Sequence, residues 1–237
     1  MPKYLPNTRF SDCYGSAGEV TFYHRNGVCF WRKRACPVFP GTVLQMEHQS
    51  VHLRALDAWR KLPQDVQLLW NEYAKDVVPH KPPFDGSSRI TGHNLFVSAY
   101  HGFAQLGDEK VPEPRKFEDF PVFDVSSASA EISDDGWMRM SLRVSLLECE
   151  AFSRYRVAMR VQLAPVGAGV RPGLMRSYTA VENCSDRESD AVFLIPGYRD
   201  VWNLDLKEYS VHVRCFLIDT LTGYRVRYQS KSFVISI

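Results

Sequence analysis

The residue types best suited to metal chemistry in this chain are its six cysteines and seven histidines. Four of them lie close together in sequence and could in principle surround a zinc ion: Cys13, His24, Cys29 and Cys36. Their spacings match no common zinc finger, and the chain has no Cys-x-x-Cys pair. We therefore expect free thiols packed as small buried side chains, while the sequence leaves open whether Cys13, Cys29 and Cys36 bind metal.

His48 and His52 form a second candidate pair, because a spacing of four residues places both on one face of a predicted helix. No glutamate completes the His-Glu-x-x-His arrangement of a zinc protease. A surface or partly buried histidine pair is therefore favoured over a metal site.

Two glycine clusters, at residues 15–18 and 167–169, lack the lysine and the strand-turn-helix context of phosphate-binding loops. They predict turns. The sequence contains no recognisable pairing of a nucleophile with a base and no clear pair of catalytic carboxylates. We accordingly expect a protein that is not an enzyme, with no cofactor and no small-molecule substrate.

A basic cluster beside aromatic residues is the one candidate site for an anion or a nucleic acid. It consists of Arg32, Lys33 and Arg34, directly after Trp31. Such clusters can contact phosphates and stack on bases. The net charge of the whole chain is only +2, which argues against a broad cationic surface for nucleic acid. Nucleic acid is therefore a less favoured partner than protein.

The distribution of charge and apolar residues bears on location. Residues 1–116 carry 15 Lys and Arg against 11 Asp and Glu, whereas the remainder carries 14 against 16. The first residues contain no apolar run typical of a signal peptide, and no stretch is long enough to span a bilayer. We expect a cytoplasmic or virion-associated protein without a membrane partner.

The elements that must position these residues begin with a β-hairpin around Asn26-Gly27, a dipeptide that favours a type I′ turn. Thr42 and Gln45 have the spacing of a capping box, which predicts a helix over 43–61. Pro63 opens a second helix, and a third ends at Gly107. The apolar face predicted for the second helix consists of Val66, Leu69, Trp70, Tyr73, Ala74 and Val77. The face predicted for the third helix consists of Leu95, Phe96, Ala99, Tyr100 and Phe103.

Residues 108–121 are polar and punctuated by proline, which is typical of a linker. Beyond it, seven β-prone runs occur at 122–132, 137–147, 155–164, 174–181, 191–195, 209–218 and 224–235. In the second and third runs apolar residues alternate with arginines, which predicts one core face, formed by Met138, Met140, Leu142, Val144, Val157, Met159, Val161 and Leu163, and one solvated face. The sequence predicts an α+β protein with two domains. Residues 1–116 form a β-hairpin and about three helices, and residues 117–237 form an antiparallel immunoglobulin-like or fibronectin-like β-sandwich.

Several segments carry a resemblance to a known group of proteins. These are the glycine-led hairpin of residues 15–32, the Thr42 and Gln45 helix start, the tryptophans Trp59 and Trp70, and the late Thr222-Gly223 turn. Together they resemble uncharacterised proteins encoded by gut bacteria and their phages. The resemblance implies the hairpin, helices and sandwich, but no activity.

Two functional hypotheses follow. The favoured one is a structural or interaction protein, such as a component of a phage or mobile-element assembly, that binds a protein partner or itself. The alternative is a DNA-binding protein, because residues 59–62 and 70–74 are similar to the second helix of an HMG box.

Overall fold

The computed structural model describes residues 14–25, 28–34, 41–77, 90–108, 110–133, 136–203 and 207–236. The chain divides into two compact units, Met1–Met46 and Glu47–Ile237. The predicted boundary near residue 116 lies inside the second unit and stays a prediction. Within the described residues, no helix combines the length and the apolar character that crossing a membrane requires.

The first unit contains a three-stranded antiparallel sheet. Its strands are β1 (Gly15–Ala17), β2 (Val20–Arg25) and β3 (Val28–Lys33), in the order β1-β2-β3. The hairpin formed by β2 and β3 confirms the sequence prediction, although its Asn26-Gly27 turn lies outside the described residues. The short strand β1 was not predicted. Gly18, which has a positive φ of 57°, turns the chain from β1 into β2.

The predicted first helix is confirmed as α1 (Val43–Lys61). Its capping box is also confirmed: the backbone N–H of Thr42 donates to Gln45 Oε1 at 3.2 Å, and that of Gln45 donates to Thr42 Oγ1 at 3.4 Å. Two further helices follow, α2 (Gln64–Tyr73) and α3 (Gly92–Gln105).

The helices build a small aromatic cluster. All five residues predicted for the buried face of α3 are buried, and Trp70 of α2 packs edge-on to Phe96 with ring centroids 5.4 Å apart. The prediction for Leu69 was wrong, since this side chain is exposed. It lies about 100° around the helix from Trp70, and only a narrow stripe of α2 packs inward.

Seven strands form two further antiparallel sheets. In chain order the elements are β4 (Val122–Ile132), β5 (Met138–Leu147), β6 (Tyr155–Ala164), β7 (Arg176–Thr179), β8 (Glu188–Ile195), α4 (Tyr198–Trp202), β9 (Glu208–Asp219) and β10 (Arg225–Ser236). One sheet has the order β4-β5-β8 and the other β10-β9-β6-β7. The number of strands was predicted, whereas the short helix α4 was not.

The two sheets share one hydrophobic core. Strand β5 contributes Met138, Met140, Leu142, Val144 and Leu146, all at most 1% exposed, and β6 contributes the alternating residues from Val157 to Leu163. This alternation was predicted, because side chains with a period of two share a face of a strand. The protein is therefore an α+β, β-rich fold in which helices pack beside antiparallel sheets.

Candidate functional site

The predicted basic cluster does not form one surface. Arg32 lies opposite Thr21 and Lys33 lies opposite Val20, so these successive residues point to opposite faces of the sheet. Arg34 follows the strand, and its backbone N–H donates to the Glu19 carbonyl oxygen at 2.5 Å. The assignment of all three as nucleic-acid contacts stays a prediction.

One face of this sheet joins a cation to aromatic rings. Tyr23 and Phe30 lie opposite each other and stack with centroids 5.8 Å apart, and the Arg32 guanidinium lies 5.8 Å from the Tyr23 ring centroid. Among the described residues of the first unit, Cys29 is the only apolar side chain that is buried. The sheet therefore presents aromatic groups with little core of their own.

The described cysteines offer no metal centre. Cys13 and Cys36 lie outside the described residues, and among those described no three His, Cys, Asp or Glu side chains group as metal ligands. Burial raises the pKa of Cys184 to about 11 and that of Cys215 to about 12. Since a thiol reacts as its thiolate, these two cysteines are chemically inert near neutral pH.

The segments that resemble an HMG box belong to two helices. Trp59 lies in the last turn of α1 and Trp70 lies in α2, on either side of a break at Leu62-Pro63. Trp70 and Ala74 are buried in the helical cluster. These residues act in packing, as such a pattern does in any short helical hairpin.

The turn between β9 and β10 is held by a buried carboxylate. Asp219 accepts two hydrogen bonds from Arg154, one from Nε at 3.0 Å and one from Nη2 at 2.6 Å. It also accepts hydrogen bonds from the Thr222 hydroxyl at 2.7 Å and the Leu221 backbone N–H at 2.9 Å. Arg154 also pairs with Glu118 at 2.6 Å, which ties the segment before β4 to this turn.

The charges of this network depend on one another. Burial alone would raise the pKa of Asp219, but the hydrogen bonds from Arg154 and Thr222 outweigh it and hold that pKa below its usual range. The same carboxylate raises the pKa of Arg154. Both groups are thus charged at neutral pH, and the turn has a fixed conformation.

The turn between β9 and β10 packs against the helices. Gly223 has a positive φ of 72°, and its backbone passes so close to Ala99 and Phe103 of α3 that no side chain fits between them. Tyr224 follows, with its ring 6.2 Å from that of Trp70, and its hydroxyl donates to the Arg115 carbonyl oxygen at 2.7 Å. The Asp219 turn therefore anchors the helices to the sheets.

Next to this anchor lies a cleft of about 720 Å³ between the helices and the outer face of the four-stranded sheet. Helix α1 contributes Glu47 and His48, and α3 contributes His101. The sheet contributes Arg160 from β6 and Arg225 from β10. Among the described residues, neither arginine has a carboxylate within ion-pair distance. The cleft is therefore predominantly cationic.

His101 lies at the centre of the histidines in this region. Its ring stacks on that of His52 with centroids 5.8 Å apart. Desolvation by burial is the largest cause that lowers the pKa of His101, and together with the charges of Arg225, His52 and His48 it brings this pKa to about 4. His101 is therefore neutral in the free protein at physiological pH.

This shift predicts a pH-dependent stability. The folded protein holds His101 neutral down to about pH 4, whereas the unfolded chain protonates it near 6.5, so the unfolded state binds more protons between these values. The contribution of His101 to the free energy of unfolding should be constant above about pH 6.5 and should fall as the pH drops toward 4. Urea unfolding across this interval, with His101→Gln as comparison, measures it; an equal slope in the variant would contradict this assignment.

Sequence reasoning missed this cleft because its charges are far apart in the chain. The arginines between the apolar residues of β6 were recognised only as a solvated face, and His48 and His52 only as an isolated pair. The sole available signal was that alternation of arginine with core residues, which places Arg160 on the outer face of the sheet.

No protein-family model matches the chain, and no curated protein matches it. Among solved structures it is similar to AggA, the major subunit of aggregative adherence fimbriae type I from Escherichia coli. The identity is 9%, the match covers 51% of this chain and 97% of that chain, and the TM-score is 0.25.

Proposed function

We propose that this chain is a non-enzymatic structural protein that associates with copies of itself through the β3 edge of its N-terminal sheet. An immunoglobulin-like or fibronectin-like sandwich, with the helices anchored to it, serves as the rigid body. The observation that carries the proposal is the exposed aromatic edge strand of a sheet in which, among the described residues of its unit, only Cys29 is a buried apolar side chain.

Strand order supports the sandwich assignment. The first, second and fifth strands, β4, β5 and β8, form one sheet, and the remaining four form the other. An immunoglobulin constant domain has the same arrangement except that its fourth strand joins the first sheet. Here that strand, β7, pairs with β6, as expected of a fibronectin-like domain.

The exposed edge supports self-association. Strand β3 is the edge of its sheet, and Val28 and Trp31 are 38% and 37% exposed. An edge strand offers unpaired backbone groups to a second chain, and a sheet this small is marginally stable alone. Pairing of two β3 strands would make one six-stranded sheet and cover the aromatic groups.

The positions of the cations are compatible with such pairing. In a two-fold antiparallel arrangement centred on Trp31, Arg32 would lie opposite Phe30 and Lys33 opposite Cys29. Each cation would then face an apolar residue rather than another cation. Like charges directly opposite one another would destabilise the pair, and this register avoids them.

Because the N-terminal unit has a net positive charge, the effect of salt distinguishes self-association from DNA binding. Residues 1–46 carry six Lys and Arg against two Asp and Glu, a net charge of +4. Salt screens the repulsion between two such units and should strengthen self-association. Salt would instead weaken a complex with DNA, because binding releases counterions.

The test is light scattering on the full chain across a range of concentrations and at two salt concentrations, with and without duplex DNA. We expect a discrete oligomer that is favoured by salt and indifferent to DNA. Trp31→Lys, which places a cation at the centre of the pairing, should lower the association constant about tenfold or more. Tyr14→Lys is the matched control, because it introduces the same charge at an exposed aromatic residue next to the opposite edge of the sheet.

Two outcomes would overturn the proposal. A monomer at every concentration would exclude self-association, and equal effects of the two lysine variants would show that β3 is not the interface. A monomer that forms a salt-sensitive complex with DNA would favour the alternative function.

A further inference from the structure

The cleft between α1, α3 and the four-stranded sheet has features of a ligand site that self-association does not require. Its volume of about 720 Å³ lies in the range typical of sites for small molecules. Thr179 of β7 donates through its hydroxyl to the Gln105 carbonyl oxygen at 3.0 Å, which joins the end of α3 to the edge strand of the sheet. The cleft is thus built from elements that are fixed to one another.

Strand register shows how the cations are arranged along the floor of the cleft. On β9 the residues Arg214, Phe216 and Ile218 alternate on the outer face of the sheet. Arg160 lies opposite Arg214, and Arg225 lies opposite Ile218. The rows of Arg160 and Arg225 are therefore separated by four residues, about 13 Å along the strand, with Phe216 between them.

The Arg225 end carries additional groups that can become cationic. The charge of Arg225 lowers the pKa of His101 in α3, and the His101 ring stacks on that of His52. His48 of α1 lines the same end of the cleft. Glu47 is the one carboxylate among the residues that line the cleft. A ligand therefore meets a positive group at each end and an aromatic ring in the middle.

We propose that this cleft binds an elongated organic dianion, with a carboxylate or phosphate group at each end and an apolar or aromatic middle. One acidic group pairs with Arg225 and His101, and the other pairs with Arg160. The middle packs against Phe216. Guanidinium groups suit this task because they bind carboxylates and phosphates in bidentate geometry.

Ligand binding should be coupled to protonation of His101. An anion beside this imidazole favours the charged form and raises its pKa, so the complex takes up a proton. The charges that act on His101 come from Arg225 of β10 and from His48 and His52 of α1, while Glu47 of α1 and Arg160 of β6 line the same cleft. Among these side-chain types, histidine is the one whose charge ordinarily changes near neutral pH.

Isothermal titration calorimetry of the full chain tests the proposal with three probes: terephthalate, 4-carboxyphenyl phosphate and benzoate. Terephthalate and 4-carboxyphenyl phosphate, which have an acidic group at each end, should bind about tenfold more tightly than the monoanion benzoate, because the second charged end adds a charge-assisted hydrogen bond. The ratio between terephthalate and the phosphate probe distinguishes a dicarboxylate from a phosphate ligand.

Three substitutions of arginine by glutamine supply the matched comparison. Arg160→Gln and Arg225→Gln should each weaken terephthalate about tenfold, to the level of benzoate. Arg139→Gln removes the same charge from an exposed position on β5, outside the cleft, and should change the affinity less than about twofold. No saturable binding of either terephthalate or 4-carboxyphenyl phosphate, or an equal loss in all three variants, would overturn the proposal.

The proton coupling has its own measurement. Terephthalate stays ionised from about pH 8 down to about pH 5, so any rise in affinity over that range comes from the protein. We expect such a rise in the wild-type protein and a flatter profile in His101→Gln. A rise of the same size in the variant would show that protonation of His101 is not coupled to ligand binding.

Discussion

Replacing Asp219 with asparagine is expected to destabilise the protein by about 3 kcal/mol, because it leaves the guanidinium of Arg154 without its buried carboxylate partner. Asparagine has nearly the same shape, but its amide group would present hydrogen-bond donors to the donors of Arg154. Two other hydrogen bonds of the turn, from the Leu221 backbone N–H and the Thr222 hydroxyl, end on the same carboxylate. Urea unfolding at neutral pH measures the loss.

The matched control is Asp190→Asn, which removes a carboxylate from an exposed ion pair with Arg143. Solvent screens that pair, so the unfolding midpoint should not change. A loss at Asp219 of less than about 1 kcal/mol, the value of an ordinary hydrogen bond, would show that the network does not hold the turn.

Acid provides a second measurement of the same carboxylate. The folded pKa of Asp219 lies below its unfolded value, so its contribution to stability is present above about pH 4 and is lost as the pH falls through the folded pKa. The wild-type protein should therefore lose its advantage over Asp219→Asn in that acidic range. A difference that is constant with pH would contradict the assigned charge state.

Replacing Gly102 with alanine is expected to destabilise the protein by about 3 kcal/mol through overpacking, even though alanine is the better helix former. A Cβ at this position in α3 would overlap the Gly223 carbonyl oxygen and lie 2.8 Å from the Gly223 carbonyl carbon. Gly223 cannot easily retreat, because its N–H donates to the Asp219 carbonyl oxygen at 2.8 Å. The helix must therefore move away from the turn.

Amide hydrogen exchange shows which part of the protein Gly102→Ala destabilises. Amides of α3 should exchange faster in Gly102→Ala, while those of β5, at the centre of the other sheet, should stay protected unless the whole protein unfolds. Asn94→Ala is the control, since it places alanine at an exposed position of the same helix without a clash. A gain in stability at position 102 would mean that the helix and turn do not approach so closely.

Local structure was largely predictable from the sequence. The hairpin, the capping box at Thr42 and Gln45, the buried face of α3 and the alternating core of β5 and β6 all depend on interactions within a few residues. Periodicity of two or 3.6 residues directly reflects which side chains share a face. Leu69 was placed wrongly because periodicity shows the direction of a face but not its width.

Sites assembled from distant residues were not predictable. Arg154 and Asp219 are 65 residues apart, and the cleft brings helices from the first half of the chain against strands from the second. The basic run Arg32-Lys33-Arg34 looked like one patch in sequence, but strand alternation places Arg32 and Lys33 on opposite faces.

The sequence by itself determined the longer elements, the apolar faces of α3, β5 and β6 and the α+β class, because these follow from local propensity and periodic burial. Only the tertiary structure decided the pairing order of the strands, the close approach of Gly102 to Gly223 and the convergence of Arg160, Arg225 and His101 on one cleft. The physical reason is that such contacts depend on how sheets and helices pack across long stretches of chain, and local periodicity carries no record of that packing.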